Sequence, residues 1–402
     1  MRLDRERNRG FPAFARLETP TPSRHLIMAA KKKAKPARSS RARAKAAAKP
    51  RRTPRIRAAA ERPKPKAPAK PLRIIATEEA WAVPEQLAGM KEIADAATEY
   101  DPDLFLVGLQ NTDPLRRRLL DLDGERLEIM DRGGVAVHLL SLTSTGTQTF
   151  DPDRGAALSS LANDRMADAI RRHPTRYAGL ATIAPQDPVR AVKEIDRAIT
   201  KLKLNGVMIN SHTNGEYLDE VKYWPILEAA AALKVPVYIH PRAPSPAMAK
   251  PFRKYHLEHA IWGYQVETAL HGVKLIMSGV FDQFPDLKVV LGHMGEGIPY
   301  WFYRMDWMHQ RFNMERPRIK MKPSDYFKRN FCITTSGVNW HPALRFCIEV
   351  LGADNIMFAV DYPYQETMEA VRFIREAPIS ETDRAKIAHL NAERVFRIPA
   401  GD

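Results

Sequence analysis

Four short apolar runs in this chain each end on a residue that can bind a metal ion. The four residues are Glu78, His240, His293 and Asp361. The runs before them are rich in Val, Ile and Leu, which is typical of buried parallel strands. In a barrel of parallel strands, the functional groups lie at the C-terminal strand ends. The pattern therefore predicts one site in which two imidazoles and two carboxylates surround a divalent cation.

A glycine-rich stretch around the third of these residues adds a candidate proton relay. Gly292, Gly295 and Gly297 surround His293, and Glu296 follows that histidine by three positions. If a helical turn begins there, the two side chains approach each other, and the carboxylate fixes the histidine tautomer and raises its basicity. The alternative is a glycine-rich loop in which Glu296 caps a helix.

The other candidates also have structural alternatives. His240 would be a buried histidine with satisfied hydrogen bonds, and Asp361, which precedes a Tyr-Pro pair, would form a turn. Glu78 and Glu79 are adjacent, so in a strand at most one of them points into the barrel mouth. Glu78 is the better ligand candidate, and Glu79 is expected behind the ligands or on the surface.

Strand-like runs alternate with helical patterns from Arg73 onward, which indicates βα units and a parallel sheet. Eight strands suit a closed (β/α)8 barrel. The predicted strands are Arg73–Glu78, Val135–Leu142, Tyr177–Ile183, Gly206–Asn210, Pro236–His240, Lys288–Gly292, Phe331–Thr335 and Ile356–Val360. The predicted helices are Arg154–Arg172, Pro188–Leu202, Trp224–Leu233, Gly263–Phe281, Glu366–Arg375 and Arg384–Phe396.

The positive charge of the chain is concentrated in its first 72 residues. They hold 23 of the 63 Lys and Arg but only four of the 47 Asp and Glu, a net charge of +19. The remaining 40 basic and 43 acidic residues give −3, so the pI says nothing about nucleic acid binding by the body. We therefore predict two regions: a disordered tail at 1–72, rich in Lys, Arg, Ala and Pro, and a catalytic domain at 73–402.

Three interpretations of the tail remain open. It could attract nucleic acid or other polyanions without sequence preference, it could be a solubilising or vestigial segment, or it could be a transit peptide. The start of translation could be Met1 or Met28. The chain has no apolar run of about 18 residues and only two cysteines, so we expect no membrane span and a cytoplasmic location.

Several stretches together resemble the amidohydrolase-related decarboxylases. This branch includes the 2,3-dihydroxybenzoate, γ-resorcylate and aminocarboxymuconate semialdehyde decarboxylases. The likeness runs from about Arg73 to the end of the chain. The stretches that carry it are Ala76-Thr77-Glu78-Glu79-Ala80-Trp81, Asn210-Ser211-His212-Thr213-Asn214-Gly215-Glu216-Tyr217-Leu218, Val237-Tyr238-Ile239-His240-Pro241-Arg242, Gly279-Val280-Phe281-Asp282 with Phe284-Pro285, Gly292-His293-Met294-Gly295-Glu296-Gly297, Thr334-Thr335-Ser336-Gly337 and Val360-Asp361-Tyr362-Pro363.

The resemblance implies a non-oxidative decarboxylase on a TIM-like barrel, with one divalent metal ion, no organic cofactor and a homodimeric or homotetrameric assembly. Glu78, His240 and Asp361 would be the ligands, and His293 would be an acid or base paired with Glu296. Many relatives have a histidine where this chain has Ala80, which leaves an oxygen-richer site suited to Mg²⁺ or Mn²⁺ as well as Zn²⁺.

The expected substrate is a small aromatic acid with an ortho hydroxyl group. Arg304 is a weaker candidate for substrate contact, and Trp262 and Tyr364, with Trp81 and Tyr264, either line a ring pocket or pack in the core. Two other functions remain open. One is a metal-dependent hydrolase or hydratase on the same barrel, acting on a lactone, ester or enol. The other is a nucleic-acid-associated protein that acts through its basic tail.

Overall fold

The eight apolar runs form eight parallel strands in the computed structural model of the chain, which describes residues 72–311 and 319–401. The strands follow one another around the sheet in chain order. They are β1 (Ile75–Trp81), β2 (Val137–Leu142), β3 (Tyr177–Thr182), β4 (Gly206–Asn210), β5 (Val237–His240), β6 (Val289–Leu291), β7 (Phe331–Thr334) and β8 (Ile356–Met357).

Backbone hydrogen bonds also join the end of the sheet to its beginning. The Thr77 amide donates to the carbonyl of Phe358 at 3.1 Å, and the Ala80 amide donates to the carbonyl of Tyr362 at 2.7 Å. These bonds tie β1 to the segment that follows β8. The predicted (β/α)8 barrel is therefore confirmed.

Helices connect the strands and cover the outside of the barrel. Two of the long helices begin at Asp-Pro pairs: Asp151 accepts hydrogen bonds from two amides of the first turn, and Asp187 accepts one. The helices are α1 (Pro84–Ala96), α2 (Asp103–Gln110), α3 (Leu115–Leu120), α4 (Glu125–Gly133), α5 (Pro152–Arg172), α6 (Pro188–Thr200), α7 (Trp224–Ala232), α8 (Pro246–Ala249), α9 (Gly263–Ser278), α10 (Val280–Gln283), α11 (Phe302–Arg311), α12 (Pro323–Asn330), α13 (His341–Leu351), α14 (Thr367–Glu376), α15 (Glu381–Ala385) and α16 (Asn391–Phe396).

Strand residues alternate between two hydrophobic clusters. Val237 and Ile239 belong to the large cluster between the strands and the helices, whereas Tyr238 belongs to a second cluster with Val290 and Met357. This alternation follows from the two-residue period of a strand. The second cluster fills the barrel, and the polar side chains at the C-terminal strand ends lie above it.

The structure differs from the predicted elements at several points. First, β1 continues to Trp81 with an irregular register between Ala76 and Glu79, so Glu78 lies within the strand rather than at its end. Second, the single terminal helix is interrupted by a π-helical turn at Lys386–Leu390, and its first segment begins earlier because Ser380 caps it. Third, β8 ends at Met357 rather than at Val360, and the four helices between β1 and β2 were not predicted, nor were α8, α11, α12 and α13.

The predicted basic tail lies outside the described residues except for Leu72, so the boundary between tail and domain stays a prediction. Among the helices of the described ranges, none combines the length and apolar character that crossing a membrane requires.

Candidate active site

Three side chains of types that can bind a metal ion meet at the C-terminal end of the barrel. Glu78 comes from β1, His240 ends β5, and Asp361 follows β8, with one ligand atom of each within 4.8 Å of the others. Glu78 and Asp361 are buried, and His240 is nearly so. Within residues 72–311 and 319–401, no other group of three His, Cys, Asp or Glu side chains converges in this way.

One oxygen of Glu78 is held by hydrogen bonds while the other is free. Oε2 accepts from the hydroxyls of Tyr238 and Ser336, and from Thr334 Oγ1 at 2.9 Å. Oε1 has no hydrogen-bond partner among the described residues and lies 3.5 Å from His240 Nε2. Burial tends to raise the pKa of Glu78, but two neighbouring histidines and these hydroxyls hold it below its usual value. The carboxylate is therefore ionised, and its free oxygen faces the other ligands.

His240 presents the lone pair of Nε2, and Asp361 presents a free carboxyl oxygen, to the space beside Glu78. His240 Nδ1 donates to the carbonyl of Pro241 at 2.7 Å, which leaves Nε2 unprotonated in a neutral ring. Burial lowers the pKa of His240 even though Glu78 opposes this shift, so the ring is in the form that binds metals. Asp361 has a positive φ of 74°, and its buried Oδ1 has no partner in the described part of the chain. Burial and the charge of Glu78 raise the pKa of Asp361 well above its ordinary value.

Glu79 fixes the backbone on both sides of Asp361. Its Oε1 accepts from the amide of Val360 at 2.9 Å, and its Oε2 accepts from the amide of Tyr362 at 3.1 Å. Burial raises the pKa of Glu79 to about 8 although these two hydrogen bonds oppose the shift. Glu79 was expected either behind the candidate ligands or on the surface. It is buried behind them.

The group that converges has one imidazole rather than the two expected, because His293 is not part of it and instead pairs with Glu296 beside Glu78, His240 and Asp361. His293 Nδ1 and Glu296 Oε1 are 2.9 Å apart, and His293 Nε2 lies 3.9 Å from Glu78 Oε1. Burial opposes a charge on His293, but Glu296 and Glu78 raise its pKa to about 10. Both His293 and Glu296 have positive φ angles, 49° and 55°, so a tight turn rather than a regular helical turn brings them together. Such left-handed backbone at non-glycine residues is characteristic of functional sites.

Gly292 is required by the close approach of Glu78. A Cβ atom at this position would lie 2.8 Å and 2.9 Å from the two carboxylate oxygens of Glu78. No side chain larger than hydrogen fits unless Glu78 moves. The residue before His293, which follows β6, therefore leaves the space that the Glu78 carboxylate occupies.

A cavity of about 360 Å³ opens above these residues. That volume is within the range of roughly 300–1,000 Å³ found for small-molecule sites. Helix α2 forms an apolar roof, which a buried ion pair between Asp103 and Arg242 attaches to the barrel. The lining residues are Phe105, Leu106, Leu109, Ser144, His240, Pro241, His259, Ala260, Tyr264, Gln265, His293, Glu296, Gly297, Gly337, Val338, Asp361, Tyr364 and Gln365.

The structure separates the weaker candidates for substrate contact. Tyr364 and Tyr264 line the cavity, and the Tyr364 hydroxyl bonds to Thr143 at 2.6 Å. Trp262 is 57% exposed at the start of α9 and does not line the cavity. Arg304 is exposed on α11 and is also absent from the lining, so within its own chain it does not reach a ligand there.

The sequence interpretation missed the hydroxyl groups that orient Glu78. Tyr238 stands two residues before His240 in the same strand, and Thr334 stands two residues before Ser336. Residues two apart in a strand face the same way. This spacing was a usable signal for Tyr238, because the candidate ligand His240 already marked the inner face of β5.

The residues present fit a divalent cation. Two buried carboxylates each have a free oxygen, and a neutral imidazole nitrogen lies beside them. Such charges are costly to bury unless they are paired or bind a metal. A parallel barrel with this cluster and a buried His–carboxylate pair at its C-terminal strand ends defines a metal-dependent barrel enzyme.

Comparison with known proteins specifies the class. The amidohydrolase family model matches residues 112–398. A γ-resorcylate decarboxylase of a Polaromonas species is 37% identical over 294 residues, which cover 71% of this chain and 90% of that protein. This chain belongs to the amidohydrolase family, and the resemblance to its decarboxylase branch is confirmed.

Two solved structures are similar over most of the barrel. The 5-carboxyvanillate decarboxylase of Sphingomonas paucimobilis is 49% identical with a TM-score of 0.79, covering 82% of this chain and all of that one. The 5-carboxyvanillate decarboxylase of Novosphingobium aromaticivorans is 39% identical with a TM-score of 0.78, covering 81% of this chain and 96% of that one. The second structure contains manganese and 4-hydroxy-3-methoxy-5-nitrobenzoic acid.

Proposed function

We propose that this protein catalyses the metal-dependent, non-oxidative decarboxylation of an ortho-hydroxylated aromatic carboxylic acid. The observation that carries the proposal is the pair of free oxygens on Glu78 and Asp361 beside His240, next to the His293–Glu296 pair, in a cavity with an apolar roof. The relatives support it, because γ-resorcylate and 5-carboxyvanillate are both aromatic acids with a hydroxyl next to a carboxyl group.

Glu78, His240 and Asp361 would hold the metal ion. Two carboxylates and one imidazole suit Mn²⁺ or Mg²⁺ as well as Zn²⁺. When bound, the ion supplies Lewis-acid stabilisation of negative charge on the carboxylate and the ortho oxygen of the substrate. The reaction exchanges CO2 for a proton without net oxidation, so it requires no organic cofactor.

The protein residues move two protons. Without a metal ion, Glu296 and Glu78 keep a proton on His293. A divalent cation on Glu78 would oppose the charge of that carboxylate and lower the pKa of the imidazole. The neutral His293, held by Glu296, then takes the proton of the phenolic oxygen. Asp361 then gives a proton to the ring carbon that bears the carboxylate, and the electron pair for the new C–H bond comes from the ring. The product of this step is a dearomatised ketone.

Aromaticity is regained when the bond to the carboxylate breaks. Its electron pair returns to the ring as CO2 leaves, and the phenolic oxygen recovers a proton from His293. Solvent reprotonates Asp361. Phe105, Leu106 and Leu109 line the cavity on the α2 side and present apolar side chains to the substrate during these steps.

The first experiment measures bound metal and CO2 release with a panel of ortho-hydroxybenzoates, before and after chelation. We expect stoichiometric metal and release that chelation abolishes and Mn²⁺ restores. Stoichiometric metal without CO2 from any acid would contradict the proposal and favour a hydrolase or hydratase acting on a lactone, ester or enol.

Two aspartates on either side of β8 offer a matched pair of variants. Asp361→Asn removes the proton donor and a ligand, so turnover should be lost. Asp354→Asn changes an exposed carboxylate at the opposite end of the same strand, and turnover should be retained. Wild-type turnover of Asp361→Asn with metal bound would exclude the assigned role.

We propose a homo-oligomer, a homodimer or homotetramer, on the basis of an exposed aromatic surface. Tyr300, Trp301 and Tyr303 are between 54% and 82% exposed and lie within consecutive turns around the start of α11. Exposed apolar patches of this kind mark interaction sites. Light scattering should give a multiple of the chain mass, and Trp301→Glu should reduce it; a monomeric wild type would refute the assembly.

We also propose that the basic tail binds nucleic acid or other polyanions without sequence preference. Its support is the net charge of +19 over residues 1–72. Full-length protein should bind single-stranded and double-stranded DNA in a manner weakened by salt, and deletion of residues 1–72 should abolish this binding while turnover is kept. Equal binding by both forms would contradict the proposal.

A cytoplasmic location is proposed from the state of the cysteines. Cys332 and Cys347 are both free and buried, as expected in a reducing compartment. Fractionation of the source cells should place the activity in the cytoplasm.

A further inference from the structure

Arg126 is a fully buried cation in the first turn of α4. Its side chain is 0% exposed, and its Nη1 has no hydrogen-bond partner among the described residues. A buried charge with an unsatisfied donor is costly. Because an apolar side chain of similar volume would fill the same space without that cost, packing alone does not account for an arginine at this position.

One bond of Arg126 reaches the strand that carries Glu78. Its Nη2 donates to the carbonyl of Ala80 at 2.6 Å, and Ala80 stands two residues after Glu78 in β1. The amide of Ala80 donates to the carbonyl of Tyr362 at 2.7 Å. Ala80 is therefore held on one side by Arg126 and on the other by the residue that follows Asp361.

A second contact of Arg126 reaches Tyr362 directly. The guanidinium carbon lies 4.6 Å from the centroid of the Tyr362 ring, which is within the range of a cation–π interaction. Such a contact is stronger when it is removed from water, and both side chains are buried. A single guanidinium group thus contacts β1 just after Glu78 and the residue just after Asp361.

Bonds at the base of the side chain fix where the guanidinium group lies. Arg126 Nε donates to the carbonyl of Asp121 at 2.9 Å, and the Arg126 amide donates to the Asp121 carboxylate at 2.8 Å. The same carboxylate accepts from the amide of Gly124 at 2.8 Å, so it closes the turn before α4. The position of the guanidinium group is therefore set by this turn and not by β1 or by the segment after β8.

We propose that Arg126 is a positioning residue that keeps Glu78 and Asp361 at the separation a divalent cation requires. This inference deepens the proposed function, because it takes both carboxylates as metal ligands. Arg126 acts through Ala80 and Tyr362 and is not itself a ligand. Its place in α4 adds a third element to the junction between the first strand and the end of the barrel.

The test is Arg126→Met, which removes the charge and the donors while keeping a long side chain. Binding of Mn²⁺ to metal-free protein is measured by calorimetry. We expect the affinity for Mn²⁺ to fall about 10- to 100-fold, because residues that support metal ligands have effects of this size. The electron paramagnetic resonance spectrum of bound Mn²⁺ should change as well, since the arrangement of its ligands changes. An unchanged Mn²⁺ affinity would overturn the inference.

Arg384→Met is the matched control. The Arg384 side chain is 11% exposed and donates to three backbone carbonyls at the end of α14, those of Ile374, Arg375 and Ala377. These bonds do not involve the strands that carry the candidate ligands. If both arginines only stabilise the fold, both variants should melt at lower temperature and bind Mn²⁺ as the wild type does, and this result would contradict the proposal. A positioning role predicts weaker Mn²⁺ binding in Arg126→Met alone.

Arg126→Lys keeps the test decisive if Arg126→Met does not fold, which thermal melting shows. Lysine keeps the positive charge but lacks the planar fork that reaches the carbonyls of Ala80 and Asp121 together. Its Mn²⁺ affinity should therefore fall, although less than that of Arg126→Met. A folded lysine variant with wild-type Mn²⁺ affinity would show that these bonds do not set the ligand separation.

Failure of the proposed function gives a different result from failure of this inference. If Glu78 and Asp361 do not bind metal, the wild-type protein itself takes up no stoichiometric Mn²⁺. If the protein binds Mn²⁺ but releases no CO2 from any acid, decarboxylation is excluded, and the comparison of Mn²⁺ affinities still decides the role of Arg126.

Discussion

Gly292→Ala tests whether the backbone beside His293 holds Glu78 in its ligand position. The new methyl carbon would lie 2.8 Å and 2.9 Å from the Glu78 oxygens and 3.1 Å from Ser336 Oγ. Non-bonded atoms prefer separations of about 3.5–4.0 Å, so Glu78 must move by roughly 0.5 Å or more. Functional groups must be held within about 0.5 Å of their productive positions, so this shift of Glu78 is large enough to weaken metal binding. We expect the affinity for Mn²⁺ to fall about 10- to 100-fold, or about 1.4–2.7 kcal/mol.

The assay is titration of metal-free protein with Mn²⁺, followed by calorimetry or by the electron paramagnetic resonance signal of the free ion. Overpacking should also lower the free energy of unfolding by about 1–3 kcal/mol. Gly108→Ala is the control, because a methyl group there meets no atom within 4 Å. Wild-type Mn²⁺ affinity and turnover in Gly292→Ala would refute the reasoning.

Three further substitutions test the surroundings of the site. Glu79→Gln removes one of the two acceptors that hold the amides beside Asp361, so kcat should fall roughly 10- to 100-fold; an unchanged kcat at full metal content would show that these bonds do not matter. Asp103→Ala leaves the buried Arg242 without its ion-pair partner, and urea unfolding should show a loss of about 3–5 kcal/mol, whereas a loss under about 1 kcal/mol would argue against the roof attachment. Burial raises the pKa of Glu267 from 4.5 to about 8, so between these pH values the folded protein keeps a proton on Glu267 that the unfolded chain loses. The contribution of this carboxyl group to the free energy of unfolding is therefore complete below pH 4.5 and declines as the pH rises towards 8. Glu267→Gln should reduce this decline in unfolding free energy by roughly 2–4 kcal/mol; identical pH profiles for variant and wild type would contradict it.

The strands were predictable because their signal is local. Each buried strand is a short apolar run, and the residue after the run marks the C-terminal face of the barrel. His240 and Asp361 could therefore be placed together from the sequence. Glu78 was also identified, although the irregular register of β1 puts it inside the strand rather than after it.

The roof and the adjoining wall of the cavity were not predictable in the same way. Helix α2 and the stretch that contains His259 lie in long connections, where tertiary contacts decide the conformation. The tilted ring contact between Phe105 and His259 joins two such connections, and no spacing in the sequence relates them. Trp262 shows the same difficulty. The sequence offered this aromatic residue for the ring pocket or for the core, but its side chain faces solvent.

The position of Glu79 also bears on when the site can form during synthesis of the chain. It lies in the first strand, and the amides it holds flank Asp361, close to the C-terminal end of the chain. Glu78 and Asp361 therefore meet only when the last strand has docked against the first. A nascent chain on the ribosome that has not yet released its eighth strand would lack Asp361, one of the two carboxylates proposed to bind metal, so we expect full metal affinity only once that segment has docked. With the proposed ligands, tight metal binding therefore requires both ends of the barrel sequence.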